Sequence, residues 1–324
     1  MLKLLAKIIF STSCLFCIFY FGKIDVGDFL HNITKVNLIW LVISYIMLSV
    51  VFVIGAIRWK VLLNIESKVL SLGTLIKYYF IGGFFNTFLP SGVGGDVVRA
   101  YYLKHHEINY RTGFSSVIIE RMLGITALVL LSALSLLMQI FIFSKVDLDL
   151  IWYISCLAVM FCVVWAGYFN MERARPLGRR VFNLVPAKIK ERFKTFSDAF
   201  ELMGEPRSKL FKGFLFSFIA HSFTICSVYF LALSLKIQLD FMYCMIIVPL
   251  ISIISMVPVF ISGIGIRESG YVFFLSPLGI EADKALALSI LFYFLVVLIG
   301  LIGAVLYSLS DIKFVKKKVR TNLG

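Results

Sequence analysis

Long apolar runs alternate with short polar connections along this chain, and the runs determine the predicted fold. A helix needs about 20 apolar residues to cross the roughly 30 Å hydrocarbon layer of a membrane. Runs of about this length fall at 4–22, 38–57, 114–142, 150–169, 212–233 and 284–309. They predict an all-α, polytopic membrane helix bundle with about six spanning helices, built as a single integral membrane domain over residues 1–324.

Composition supports this class. Of the 324 residues, 60% are hydrophobic and 15% are charged, whereas an average soluble domain has roughly 25% charged residues. All six cysteines fall within apolar runs, where they are expected to be small hydrophobic residues and not metal or redox ligands.

The distribution of lysine and arginine predicts the orientation. The N-terminus, the connections 58–73 and 90–113, the loop 170–212 and the C-terminal tail together hold 24 basic residues. The connections 23–37, 143–149 and 234–241 hold four. Because basic residues accumulate on the cytoplasmic side, we expect a protein of the cytoplasmic membrane with both termini in the cytoplasm.

With this orientation, two further apolar segments cannot each cross the membrane once. The segment 74–100 should enter from the cytoplasm and return, and the segment 241–277 should enter and return from outside. We therefore predict two broken or re-entrant helical segments in an inverted repeat, with the first repeat at 38–142 and the second at 212–309. Each excursion is either a shallow hairpin or a pair of full crossings.

Both broken segments carry the same short motif. Ser91-Gly92-Val93-Gly94 matches Ser262-Gly263-Ile264-Gly265 at an offset of 171 residues. Inverted repeats whose broken helices meet near the midplane are typical of secondary transporters. Glycines there let the chain turn, and freed backbone N–H groups can bind an anion. The alternative is that the glycines only permit close helix packing.

Charged residues occur where burial in the membrane is costly, at about 2.5–3.5 kcal/mol each on insertion scales. We expect Glu120 to pair with Arg267 or Arg99, and Arg121 to pair with Asp96. These charges either hold the bundle together as structural ion pairs or line a polar cavity for a charged substrate. The candidate substrate-binding residues are Ser91, Gly92, Gly94, Gly95, Asp96, Arg99, Glu120, Arg121, Ser262, Gly263, Gly265, Arg267 and Glu268.

The basic residues of the loop 170–211 are expected to lie at the membrane surface. In the loop 170–211, apolar residues recur at helical spacing between basic ones, which is typical of an amphipathic helix held by anionic headgroups. No nucleic-acid-binding module, metal-ligand spacing or catalytic motif is present in the sequence. We expect no cofactor, no metal site and no enzymatic activity.

Three motifs in order resemble one known family. They are NTFLPSGVGGDVVRA at 86–100, SVIIERMLG at 116–124 and ISGIGIRESG at 261–270. Together they resemble the lysylphosphatidylglycerol synthase/flippase transmembrane family. Its best-understood members couple such a domain to a cytosolic aminoacyl-lipid synthase and move the charged lipid across the bilayer. These 324 residues contain no such synthase domain, so we do not expect the chain to make aminoacylated lipid.

The resemblance implies a flippase-like transporter. It would bind or translocate an anionic, aminoacylated or polyprenyl-phosphate-linked lipid through a polar cavity between the broken helices. Its arginines would pair with phosphate, which guanidinium groups bind well. Two alternatives stay open: a scaffold that presents membrane phospholipid or polyprenyl-phosphate lipid to a separate lipid-modifying transferase, and an integral polyprenol-dependent glycosyltransferase.

Overall fold

The computed structural model describes residues 32–63, 70–88, 94–106, 110–138, 207–256 and 263–321, together with positions 27 and 108. The described part of the chain is helical and contains no strand. Short 3₁₀ turns lie at Leu103–His106 and Ser276–Leu278. The helices are α1 (Leu38–Leu62), α2 (Leu72–Phe88), α3 (Gly94–Tyr102), α4 (Tyr110–Met138), α5 (Arg207–Ser234), α6 (Phe241–Ser255), α7 (Ile266–Leu275) and α8 (Ala282–Thr321).

Four helices in the described part of the chain are long and apolar enough to cross a membrane. Their candidate spans are Leu38–Leu62, Thr112–Met138, Ser208–Ser234 and Ala282–Ser310. They correspond to four of the six runs read from the sequence, and the all-α membrane bundle is confirmed. The predicted helices at 4–22 and 150–169 and the basic loop at 170–211 lie outside the described residues.

The broken segments are pairs of short helices. In the first, α2 has 17 residues and α3 has 9; in the second, α6 has 15 and α7 has 10. At 1.5 Å per residue, α3 and α7 are each about 15 Å long or less, which is about half of the hydrocarbon thickness. Neither α3 nor α7 is therefore long enough to cross the hydrocarbon layer by itself.

Glycines permit both breaks in different ways. Before α7, Gly263 has φ 75° and Gly265 has φ 94°, in the region that side chains other than glycine rarely adopt. Between α2 and α3 the glycines instead allow close contact, because a Cβ on Gly95 would lie 1.7 Å from the carbonyl oxygen of Gly82. The chain thus turns at the motif in the second segment and packs backbone on backbone in the first.

The described helices form two halves that repeat one order of helices and meet antiparallel. Each half has a long helix, two short ones and a long one, from α1 to α4 and from α5 to α8. The first helices of the halves pack together: the Asn37 amide donates to the Ser234 carbonyl (2.9 Å). Further along the same two helices, the hydroxyls of Ser44 and Ser227 each donate to the other residue's carbonyl oxygen, at 2.8 and 3.0 Å.

The other contacts between halves come in equivalent pairs. The second helix of each half packs on the fourth helix of the other, α2 on α8 and α6 on α4. In the first pair a Cβ on Gly303 would lie 2.1 Å from the Phe80 carbonyl oxygen. In the second, the Ser135 hydroxyl donates to the Met242 carbonyl (2.8 Å). This reciprocal, antiparallel arrangement is that expected of an inverted repeat.

An aromatic cluster at the first break supports the charged residues described next. Its buried members come from α1, α2, α3, the turn after α3 and the connection between α1 and α2. Trp59 is fully buried there, and its indole N–H donates to the Ser116 hydroxyl on α4 (2.9 Å). A larger apolar core joins α5, α6, α7 and α8 and also includes buried residues of α1, α2 and α4. The aromatic cluster contacts the charged residues directly, because the Arg99 guanidinium lies over the Trp59 ring.

Candidate functional site

Charged side chains from three helices of the first half and a tyrosine from the fourth meet beside the first break. We call this group the α2–α3 polar cluster. Each member carries its charge or hydroxyl into the interior of the bundle, where charges persist only when paired. Its members are Arg58 on α1, Tyr79 on α2, Asp96 and Arg99 on α3, and Glu120 and Arg121 on α4.

Glu120 is the centre of this cluster and is 2% exposed. Its Oε1 accepts hydrogen bonds from the Arg58 guanidinium and from the Tyr79 hydroxyl (2.7 Å for the latter). Its Oε2 lies 2.6 Å from Nη2 of Arg99, an ionic contact without hydrogen-bond geometry. One carboxylate therefore holds two arginines and a tyrosine from three different helices.

Asp96 is the second acid of the cluster. Its Oδ2 accepts from Nε of Arg121 at 2.8 Å, and its Oδ1 lies 3.0 Å from Nη2 of Arg99. The side-chain amide of Asn86 also donates to Oδ1, at 3.4 Å. The predicted pairs of Arg121 with Asp96 and of Glu120 with Arg99 are thus confirmed.

Arg99 is the most enclosed arginine of the cluster, with a side chain 5% exposed. Its guanidinium carbon lies 5.0 Å from the Trp59 ring centre and 4.7 Å from that of Tyr79, distances typical of cation–π contacts. Only Nη2 faces the two carboxylates. Nε and Nη1 are buried and have no hydrogen-bond partner among the described residues.

A second and smaller polar group lies at the second break. Arg267 donates from Nη2 to Glu268 Oε1 (2.5 Å) and from Nε to the Ser289 hydroxyl (3.2 Å). The Ser289 hydroxyl also donates to Glu268 Oε1 (3.1 Å), and the Arg267 guanidinium lies 4.6 Å from the Tyr293 ring centre. We call this the α7–α8 polar cluster. The alternative pairing of Glu120 with Arg267 is wrong, because Arg267 finds its carboxylate on the adjacent residue.

Tyr293 on α8 connects the two broken segments. Its ring covers Arg267, and its hydroxyl donates to the carbonyl oxygen of Thr87 in the last turn of α2 (3.3 Å). The preceding residue, Asn86, accepts from the Gly95 amide (2.8 Å) and contacts Asp96. A continuous path of polar contacts therefore runs from one cluster to the other.

The glycine amides expected to bind an anion are partly occupied by the protein itself. The Gly95 amide donates to Asn86, and the Gly265 amide donates to Glu268 Oε2 (2.6 Å). Gly94 begins α3, and the Gly263 carbonyl accepts from the Arg267 amide (3.0 Å). The motif residues Ser91, Gly92 and Ser262 lie outside the described residues.

Comparison with known proteins assigns the chain to a family. The family model described as the lysylphosphatidylglycerol synthase TM region matches residues 4–304. The chain belongs to this family. It is also similar to two UPF0104 membrane proteins, one of Methanothermobacter thermautotrophicus and one of Pyrococcus horikoshii. The first is 24% identical over 87% of each chain; the second is 25% identical over 79% of this chain and 82% of its own. No solved structure matches.

The three family-like motifs meet at the polar clusters. The stretch 86–100 supplies Asp96 and Arg99, and the stretch 116–124 supplies Glu120 and Arg121. The stretch 261–270 supplies the ion pair of the α7–α8 polar cluster. In this member of the lysylphosphatidylglycerol synthase transmembrane family, the motifs therefore mark buried charge. Among the described residues, no group of three histidine, cysteine or acidic side chains could hold a metal ion.

Sequence reasoning missed Arg58 and Tyr79. Arg58 was assigned to a cytoplasmic connection because the apolar run ends at residue 57, yet α1 continues to Leu62 and buries it. The tryptophan at 59, next to the arginine, was the available signal for a buried position. Tyr79 has no comparable signal, since it lies in a run of aromatic residues. Its ring packs against Gly55, where a Cβ would lie 2.4 Å from the ring.

The link through Tyr293 leads to a first prediction. Tyr293→Phe should lower the free energy of unfolding in detergent by about 1 kcal/mol, because it removes one hydrogen bond and keeps the ring over Arg267. Tyr229→Phe is the matched control, since the Tyr229 ring packs edge-on against Phe241 (5.3 Å). Equal stability of the two variants in denaturant titrations would contradict a stabilising role for the link.

Proposed function

We propose that this multi-pass membrane protein is a flippase-like lipid transporter and not an enzyme. The headgroup of an anionic, aminoacylated or polyprenyl-phosphate-linked lipid would enter the bundle between the two broken segments while its hydrocarbon chains stay in the bilayer. The observation that carries this proposal is the α2–α3 polar cluster, where Arg99 is buried with donors that no described residue accepts.

Stability alone is a weak reason for such a cluster. A buried ion pair seldom stabilises a protein more than well-packed apolar residues of similar volume would. In a membrane, ionisable residues that face the interior of a bundle typically mark a substrate pathway. The side chains here come from α1, α2, α3 and α4, so a ligand bound among them would contact every helix of the first half.

The antiparallel halves support two-sided access. Broken helices in inverted repeats form substrate sites near the middle of transporters, and the repeats move against each other to open each side in turn. The halves meet along α1 and α5, and Tyr293 joins the broken segments. A movement that separates α2 from α8 would break this last contact and open the space between the clusters.

The direction of the chain in the membrane is also a proposal. The excess of basic residues in 58–73, 90–113, 170–212 and the C-terminal tail favours a cytoplasmic location for these segments. Both termini would then be cytoplasmic, and the first broken segment would open toward the cytoplasm. The cytoplasmic membrane is the compartment that this orientation implies.

Lipid translocation in proteoliposomes tests the transporter. Headgroup-labelled lipids that reach the outer leaflet become accessible to a membrane-impermeant quencher, and the rate of quenching reports movement. Arg99→Ala is expected to slow translocation by a factor of about ten to one hundred, because a hydrogen bond to a charged group contributes about 1.5–3 kcal/mol. Lys284→Ala is the control, since Lys284 belongs to an exposed ion pair with Glu281.

Two outcomes would contradict the proposal. If Arg99→Ala folds and moves lipid as fast as the unchanged protein, the α2–α3 polar cluster does not handle the headgroup. If the unchanged protein moves none of the labelled lipids, it does not transport them by itself. The hypothesis to test is then a scaffold that presents lipid to a separate transferase, which should co-purify with the protein.

A further inference from the structure

Three N–H bonds of one buried arginine have no acceptor among the described residues. Nε of Arg99 carries one N–H and Nη1 carries two, and none has a hydrogen-bond partner among the described residues. Nε of Arg58, in the same cluster, is also buried without one. Buried donors are rarely left unpaired in proteins. Two neighbouring guanidinium groups with unused donors therefore point to an acceptor that the described residues do not supply.

The net charge of the cluster is positive, so an acceptor with a negative charge would balance it. Arg58, Arg99 and Arg121 carry three positive charges, and Asp96 and Glu120 carry two negative ones. The surplus is one positive charge. The segment 89–93 between α2 and α3 has the sequence LPSGV and adds no charge.

The other polar cluster has neither property. Arg267 is matched by Glu268 one to one, and its Nε and Nη2 both have hydrogen-bond partners. Its neighbours Ser289 and Tyr293 are neutral. A ligand that brings one negative charge would thus balance the α2–α3 polar cluster and would unbalance the α7–α8 polar cluster.

We propose that the α2–α3 polar cluster selects lipid headgroups with a single phosphodiester and no compensating positive charge. This inference rests on the proposed function and narrows its substrate class. The phosphate oxygens would accept from Nε and Nη1 of Arg99, and the one negative charge of the diester would cancel the surplus. Zwitterionic and aminoacylated headgroups are disfavoured because each adds ammonium groups to a site that already has excess positive charge.

Phosphomonoesters are disfavoured for the opposite reason. A phosphomonoester carries about −1.5 to −2 charges at pH 7, which exceeds the surplus of one. Replacing one acid of the cluster by its amide raises the surplus to two and should therefore move the preference toward a monoester. Asp96→Asn is the better choice because Arg121, its main partner, has a side chain 33% exposed.

Native mass spectrometry of the full chain in detergent micelles measures this preference. The probes are phosphatidylglycerol, phosphatidic acid and diacylglycerol of equal acyl length, with inorganic phosphate as a competitor without a lipid. The unchanged protein should retain phosphatidylglycerol at least about tenfold better than diacylglycerol. In Asp96→Asn, the binding ratio of phosphatidic acid to phosphatidylglycerol should rise by about tenfold or more. Glu281→Gln, which changes an exposed charge, should leave both ratios unchanged.

The proposal is overturned if the binding ratio of phosphatidic acid to phosphatidylglycerol is unchanged in Asp96→Asn, or if the protein retains phosphatidylglycerol and diacylglycerol equally. It is also overturned if equimolar inorganic phosphate displaces the lipid fully, because the site would then bind the free ion. If Asp96→Asn does not fold, Glu120→Gln makes the same change in charge. Charge-selective binding without translocation would reject the transporter and keep this inference. Translocation at equal rates for headgroups of different charge would keep the transporter and reject this inference.

Discussion

Gly95→Ala is expected to prevent α3 from packing on α2. The added Cβ would lie 1.7 Å from the Gly82 carbonyl oxygen and 2.6 Å from its carbonyl carbon. These are backbone atoms inside a helix, so no side-chain rotation can relieve the clash. Overpacking typically costs about 1–3 kcal/mol, and we expect a loss of unfolding free energy at or above the upper end of this range. Denaturant titration in detergent, with the recovered fraction of monodisperse protein, measures it.

The matched control is Gly73→Ala, at the start of the same helix α2. No atom lies within 4 Å of its Cβ position, and alanine favours a helix over glycine by up to about 1 kcal/mol. The control should be as stable as the unchanged protein or slightly more so. Since Gly95 also sets the positions of Asp96 and Arg99, the altered protein should lose lipid binding together with stability. A Gly95→Ala protein as stable as the control would mean that α2 and α3 do not pack as closely as described.

Apolar run length predicted the class of fold because it has a direct physical cause. A backbone in hydrocarbon must satisfy its own hydrogen bonds, so a long apolar run becomes a helix with little influence from its neighbours. The bounds were less predictable: α1 continues five residues past its apolar run to Leu62, because the Arg58 charge is satisfied by contacts on other helices. Tertiary contacts of this kind have no signature within the run itself.

Part of the candidate site was equally predictable. The position of a charge inside an apolar run implies a partner, and the parity of the spans placed Asp96, Arg99, Glu120 and Arg121 in one half. Which carboxylate meets which arginine depends on helix rotation, and sequence spacing left Arg267 as an alternative partner of Glu120. The structure removes that alternative because Glu268 reaches Arg267 within its own helix.

The repeat preserves the break and not the charges. At the offset that matches the glycine motifs, Asp96 of the first half corresponds to Arg267 of the second, and Val97 corresponds to Glu268. Among the described residues, the first half gathers five charged residues around its break, and the second has one ion pair there. Two halves with one architecture can thus differ in role: the first supplies the charged site, and the second packs against it and links to it through Tyr293.

The second large effect is expected at Glu120. Glu120→Ala removes the acceptor shared by Arg58, Arg99 and Tyr79, and leaves two buried guanidinium groups without this carboxylate. Breaking a buried ion pair by removing one partner typically costs about 3–5 kcal/mol. Glu281→Ala is the matched control, since its partner is the partly exposed Lys284. Exposed pairs contribute about 1 kcal/mol or less. Denaturant titrations of the two variants that give equal losses would show that Glu120 does not hold the cluster.

Adding Arg58→Ala to this change separates stability from transport. If Arg58 depends on Glu120 for its charge, the double variant should be more stable than the sum of the single losses predicts, by about 0.5–3 kcal/mol. Translocation should not recover with it, because the Glu120 carboxylate beside Arg99 is still missing and one arginine of the site is gone. If stability returns while transport stays lost, the charged residues are needed to bind or move the ligand and not to stabilise the fold. Recovery of transport in the double variant would instead mean that Arg58 and Glu120 act only as a structural pair.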